Sequence, residues 1–299
     1  AFAAQSRGEV DLSGVWGACK TLAALQTAKR LGHSLLIVTP GRIEAEAVFD
    51  DLASFAGEED AVLFPAWEVL PNDTMSPADD IMAERLNTFE KLGDARQQGK
   101  PMYVVAPVRA IMQYVMPRKR LTENSLRLRC GERQPMEEVI GAMIRLGYTR
   151  EPMVEQRGEF SVRGGIIDVF PLSAELPSRI EYFDEDIETI RLFEPETQRS
   201  VTRVQETRVP PRSEKSGLAS SLRAKELSPF TDWFPEETLL AVDEPLSVQE
   251  QGVQIAGQCA DSPFFMDWDT TRNRWGRFPR LYLSQMPRKD SGRAARLSM

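Results

Sequence analysis

Short apolar, β-rich runs alternate with stretches of helical spacing through the first third of the chain, a pattern that predicts βα units around a parallel sheet. Leu35 to Thr39 (LLIVT), Ala61 to Phe64 (AVLF) and Met102 to Ala106 (MYVVA) have almost no polar positions, so each reads as a strand buried on both faces. Helices fill the intervals. One begins near Lys20, one spans about Arg42 to Phe55, one runs from about Ala78 to Leu92, and another follows Pro107.

From about Leu121 to Val209 the rhythm changes. One amphipathic helix near Met136 to Leu146 precedes GEFSVRGGIIDVFP and SRIEYFDEDIETIRLF, where Gly-rich or acidic turns separate β-formers, the mark of antiparallel hairpins. After Pro210-Pro211, the run TLLAVDEP (Thr238 to Pro245) again reads as a buried parallel strand, as though the chain returned to the first domain. The expected architecture is α/β: a P-loop, RecA-like parallel-sheet domain in residues 1–120 and 210–250, a small inserted α+β domain in 121–209, and in 251–299 a basic C-terminal segment or a partial further subdomain.

Composition narrows the chemistry. At 299 residues with 41% apolar content the chain can build two or three cores. No apolar run approaches the roughly 20 residues that cross a bilayer, and no basic-then-apolar leader opens the chain, so a membrane role is not expected and the cytoplasm is the default location. Cys19, Cys130 and Cys259 lie too far apart for zinc-knuckle spacing, and His33 is the one histidine, which argues against metal or histidine catalysis. A net charge of -8 disfavours non-specific coating of DNA. The stretch after Thr270 is the exception, with Arg272, Arg274, Arg277, Arg280, Arg288, Lys289, Arg293 and Arg296 against Asp290; it reads either as a solvated tail or as a weak DNA contact aided by Trp268 and Trp275.

GVWGACKT, Gly14 to Thr21, stands close to G-x-x-x-x-G-K-T. In a working loop of that form, backbone N–H groups cradle phosphates, the lysine neutralises them and the threonine ligates magnesium. Here Gly14, Gly17, Lys20 and Thr21 are in place, but Cys19 holds the position of the second glycine, where a side chain opposes close backbone approach. Asp243 and Glu244 at the end of TLLAVDEP have the types and order of a magnesium-holding and a water-orienting carboxylate. Three readings stay open: an ordinary strand-to-helix turn, nucleotide binding without turnover, and an ATPase.

Several ordered motifs make a family visible. LFPAWEVLPNDTMSPADDIMAERLNTFEKL (Leu63 to Leu92), GEFSVRGGIIDVFP (Gly158 to Pro171) and LPSRIEYFDEDIETIRLF (Leu176 to Phe193) resemble the UvrB-like N-terminal module of the transcription-repair coupling factor family, Mfd. UvrB itself keeps an intact P-loop and an aromatic-rich hairpin, whereas Trp67 to Met75 holds no tyrosine cluster. The resemblance implies a module that recruits UvrA and couples stalled transcription to nucleotide excision repair, with no catalytic residues, no metal and no ATP hydrolysis of its own. ATP and magnesium enter only if the altered loop still binds nucleotide. Full-length members are ATP-dependent DNA translocases that engage RNA polymerase and double-stranded DNA through domains not recognisable here, so the chain reads as a fragment or a truncated relative. The alternative is an active P-loop, DNA-dependent ATPase of helicase type.

Carried over from the family, the UvrA-binding residues are Arg163, Arg179 and Phe183. Guanidinium forks pair with carboxylates and an aromatic ring supplies desolvated area at the centre of a contact. Arg163 has a second reading as an internal partner of Asp168 or Glu159. Tyr182 and Phe183 are adjacent on a strand and must face opposite ways, and the sequence does not say which faces out.

Overall fold

The computed structural model describes residues 8–68, 77–212, 214, 221–222 and 226–286, and the backbone of 294–296. The basic positions Arg288, Lys289 and Arg293, and the stretch 69–76, lie outside the described residues. The chain divides into two compact units. The first comprises Ala1–Ser76, Thr88–Val115 and Ser228–Met299; the second comprises Pro77–Asn87 and Met116–Leu227.

The first unit is built on a parallel sheet. Its strands are β1 (Glu9–Ser13), β2 (Leu35–Thr39), β3 (Ala61–Leu63), β4 (Tyr103–Pro107), β15 (Leu239–Asp243), β16 (Arg280–Ser284) and β17 (Ala294–Arg296), in the order β17-β1-β16-β15-β2-β4-β3. Every pairing in it is parallel. Strands β2, β4 and β15 are buried at every position, as their unbroken apolar runs require. Helices α1 (Ala18–Leu31) and α2 (Arg42–Ala56) bury Ala24, Leu25, Ala28, Ala45 and Leu52 in one cluster with Leu35, Ile37, Val105 and Ala241 of the sheet. Helix α3 (Asp79–Gln98) runs past Gly93, beyond the end near Leu92 that the sequence suggests, because Asp94 to Gln98 continue a helix-compatible run up to Gly99.

Two strands escaped the hydrophobic pattern. β1 is partly exposed along its length, so its sequence EVDLS lacks the apolar run of a central strand. β16 lies in the stretch that sequence assigns to a basic C-terminal segment, yet it occupies the sheet between β1 and β15. The arginines around it are neutralised locally: Arg274 and Arg277 both reach Asp232, at 2.6 and 2.7 Å, and Arg280 reaches Glu9 at 3.3 Å. Trp268 and Trp275 are buried against each other at 5.5 Å on helix α8 (Trp268–Trp275), so neither offers a stacking platform. The remaining elements of this unit are α4 (Val108–Met112), α7 (Pro245–Gln258) and a small ladder of β5 (Tyr114–Val115) with β14 (Ser228–Pro229).

The second unit is a six-stranded sheet in the order β12-β11-β10-β9-β8-β7, made of β7 (Thr149–Arg150), β8 (Glu159–Arg163), β9 (Ile166–Val169), β10 (Ser178–Phe183), β11 (Asp186–Phe193) and β12 (Ser200–Val204). It is antiparallel except where β7 meets β8. Helix α6 (Met136–Arg145) covers one face, with Val139, Ile140 and Met143 packed on Phe160, Ile167, Val169, Ile180 and Ile190. A ladder of β6 (Leu126–Arg129) with β13 (Glu206–Val209) and the short helix α5 (Arg118–Glu123) complete it. Arg85 and Glu214, both fully buried, close a two-pronged ion pair at 2.7 and 3.0 Å.

Candidate functional site

In the first unit the P-loop-like residues and the paired carboxylates converge on the carboxyl edge of the sheet, where open α/β sheets hold their ligands. β1 ends at Ser13, Gly14 to Gly17 form the turn, and α1 begins at Ala18, two residues before Lys20. Gly17 takes φ 51°, a left-handed conformation that suits glycine at this entry to the helix. The early helix start consumes donors: the Cys19 amide bonds Trp16 O at 3.2 Å, the Lys20 amide bonds Gly17 O at 3.1 Å, and the Gly14 amide bonds Ser284 O at 3.0 Å.

The lysine is equally committed. Lys20 Nζ donates to Asp243 Oδ1 at 2.5 Å and to Glu244 Oε1 at 3.0 Å. Lys20 and Asp243 are 7% and 5% exposed, so this is a buried ion pair. Burial pulls the Lys20 ammonium down, but the hydrogen bonds and charges of the two carboxylates outweigh it and leave it above the ordinary lysine value. Burial pushes the Asp243 carboxyl up, with Glu244 and Glu44 adding to the rise and Lys20 opposing it. Thr21 Oγ1 donates to Asp51 Oδ2 at 3.3 Å. Glu244 sits at φ 49°, in the left-handed region, and its Oε1 also accepts the Gln285 amide at 2.9 Å. Arranged this way, the corner does not fit a magnesium triphosphate: two loop amides cap the loop's own carbonyls, and the cation that would meet phosphate is held by the carboxylates that would meet magnesium. No group of three metal-binding side chains occurs among the described residues.

In the second unit, the sheet face away from α6 carries Arg163, Arg179 and Phe183. β8 and β9 join through Gly164-Gly165, with Arg163 paired to Ile166, and the tight link takes a left-handed residue at Gly164 (φ 58°). Asp168, 1% exposed, is the hub of the face. It accepts Arg179 Nε at 2.8 Å and Nη2 at 2.9 Å in a bidentate fork, and Arg163 Nη2 at 2.8 Å. Arg179 also donates to Gln198 O at 3.2 Å and lies 4.5 Å over the Phe193 ring. Its hydrogen bonds to Asp168 hold it above the usual guanidinium value against the opposing pull of burial.

The two arginines therefore differ. Arg179 is 16% exposed at its side chain and has its donors engaged inside the unit; Arg163 is 52% exposed and contributes one nitrogen to Asp168. Of the two internal partners considered for Arg163, Asp168 is the one it meets; Glu159 instead accepts the amides of Glu155 and Gln156. Phe183 faces out, 73% exposed, at the tip of the β10–β11 hairpin. Tyr182 turns inward against the core, and burial pushes its hydroxyl up to about 12. The irregularity in the β10–β11 ladder skips Glu188 on β11, so the alternation of β10 is intact and Arg179, Glu181 and Phe183 share one face. Arg163 and Phe183 are separated by two strand spacings and about one pleat repeat, roughly 12 Å. From sequence Asp168 enters only as one of two internal partners for Arg163; that it also holds Arg179 was missed, and the signal was a lone acid amid the apolar run IIDVF.

A family model described as the UvrB interaction domain matches residues 126–214, from the start of β6 to Glu214. The chain is 29% identical over 227 residues to a transcription-repair-coupling factor of Bacillus subtilis, covering 71% of this chain and 19% of that protein. It is 35% identical over 197 residues to that of Mycobacterium tuberculosis (65% of this chain, 16% of that protein) and 32% identical over 207 residues to that of Staphylococcus aureus (66% and 17%). The chain is thus homologous to these factors and spans less than a fifth of their length.

Proposed function

We propose that this chain is the UvrA-recruiting module of a transcription-repair coupling factor, and that its P-loop-like corner serves structure without turning over ATP. The observation that carries the reading is Phe183, a large ring 73% exposed on the same strand face as Arg179 and near the half-exposed Arg163. An exposed aromatic sharing a sheet face with a half-exposed guanidinium has the composition of a binding hot spot, and it suits a partner surface with carboxylates. The homology supports the choice of partner. RNA polymerase and double-stranded DNA are assigned to other parts of a longer protein, in keeping with local pairing of Arg274, Arg277 and Arg280. Among the described residues no helix is long and apolar enough to cross a membrane.

Titration calorimetry against UvrA tests the interface. Phe183→Ala is expected to weaken binding by about 2 kcal/mol, roughly 30-fold, and Arg163→Ala by roughly tenfold with a reduced salt dependence. Neither change touches the packed core, so thermal unfolding should stay within about 1 kcal/mol of the parent. Unchanged affinity in the double variant would show that UvrA docks elsewhere or not at all.

A further inference from the structure

The sheet of the second unit lines up three guanidinium groups. Arg179 on β10 stands directly across from Arg191 on β11, and Arg191 directly across from Arg203 on β12, so all three rise from the face that carries Arg163 and Phe183. Like charges directly opposite on neighbouring strands destabilise a sheet, and two of the three are neutralised from within. Arg179 is held by the Asp168 fork. Arg191 turns away from β12 towards β10, where its Nη2 meets Glu181 Oε2 at 3.1 Å, and Glu181 also accepts Thr189 Oγ1 at 2.6 Å.

Arg203 has no such partner. It is exposed, and its side chain makes no hydrogen bond or ion pair among the described residues. β12 is the edge of the sheet, its sequence SVTRV holds no acid, and Asp168 and Glu181 already serve other arginines. An unmatched positive charge kept beside two others breaks a local rule of sheet pairing, and such breaks mark places where function opposes folding.

We propose that the UvrA-docking face extends across the sheet to β12, where Arg203 meets a second acidic patch of the partner. The extension presupposes the UvrA reading and adds a point of contact to it. Strand spacing and pleat repeat put Arg203 roughly 16 Å from Phe183 and roughly 20 Å from Arg163. Points that far apart fit within the roughly 800 Å² that one partner contributes to a standard interface. Because β10 lies between β8 and β12, the matching partner surface is apolar opposite Phe183 and acidic on both sides of it.

Titration calorimetry against UvrA with Arg203→Glu and Arg203→Lys, each also followed by thermal unfolding, tests it. Arg203→Glu is expected to weaken binding at least tenfold and to flatten its salt dependence, because a carboxylate then faces carboxylates. The same change sets a glutamate opposite Arg191, so the melting temperature should hold or rise. Affinity and stability then part company, which a merely structural arginine would not produce. A glutamate still guards an exposed strand edge, so lost binding would not reflect edge protection. Arg203→Lys, which keeps the charge and loses the fork, should fall between the parent and Arg203→Glu. Full affinity in Arg203→Glu beside weakened binding in Phe183→Ala would overturn the extension and leave the UvrA reading standing. Weaker binding matched by a lower melting temperature would assign Arg203 to the fold and overturn it too, and no binding by the parent chain would remove both the reading and its extension.

Discussion

Arg179→Met is expected to destabilise the second unit by about 3 kcal/mol or more, lowering its melting temperature by roughly 10–20 °C. The substitution leaves Asp168, 1% exposed, with Arg163 Nη2 in place of a bidentate fork, and a buried charge stripped of its main partner is among the costliest single changes. It also removes the guanidinium from the Phe193 ring. Adding Asp168→Leu should restore much of the loss, because removing both charges of a buried pair costs far less than removing one. Differential scanning calorimetry of the single and double variants decides it. A single variant that melts with the parent would show that Asp168 does not depend on Arg179. This result also bears on the proposed interface: an effect of Arg179 on UvrA binding has to be read against stability, whereas changes at the exposed Phe183 and half-exposed Arg163 leave the packed core intact.

Lys20→Met is expected to destabilise the first unit by about 3 kcal/mol, roughly 6–12 °C in melting temperature, while ATP turnover stays at the level of a protein-free control before and after the change. The two readouts separate the readings of the corner. An ATPase would lose activity that the parent possesses; a structural triad loses stability instead. The pH dependence has a definite sign. Asp243 already has its carboxyl raised by burial, and removing Lys20 takes away the opposing influence, so the variant raises it further. A carboxyl whose folded value exceeds its unfolded value penalises the fold above that folded value, and the penalty fades as pH falls through it. The deficit of Lys20→Met should therefore shrink on acidification from pH 7. DNA-stimulated turnover in the parent that vanishes in the variant would restore the motor reading.

Much of the fold was legible in residue order. The apolar runs of β2, β4 and β15 announce strands buried on both faces, and the Gly164-Gly165 link and acidic turn before Asp186 announce hairpins, because these signals depend on neighbours in sequence. β1 and β16 were not legible. Each mixes polar with apolar positions, EVDLS in β1 and RLYLS in β16, and β16 lies among arginines whose partners, Asp232 and Glu9, are distant in sequence.

The sequence by itself determined the types of group at each site: a lysine and two carboxylates at one sheet edge, two arginines and an aromatic on the second unit. Their commitments were decided only in three dimensions. Whether Lys20 meets phosphate or Asp243 depends on a pairing across more than two hundred residues, and which of Arg163 and Arg179 is free to face a partner depends on how Asp168 and Gln198 divide their acceptors. Charge and side-chain type are local properties of a chain; burial and partner are properties of packing, and it is these that set what a charged group can do.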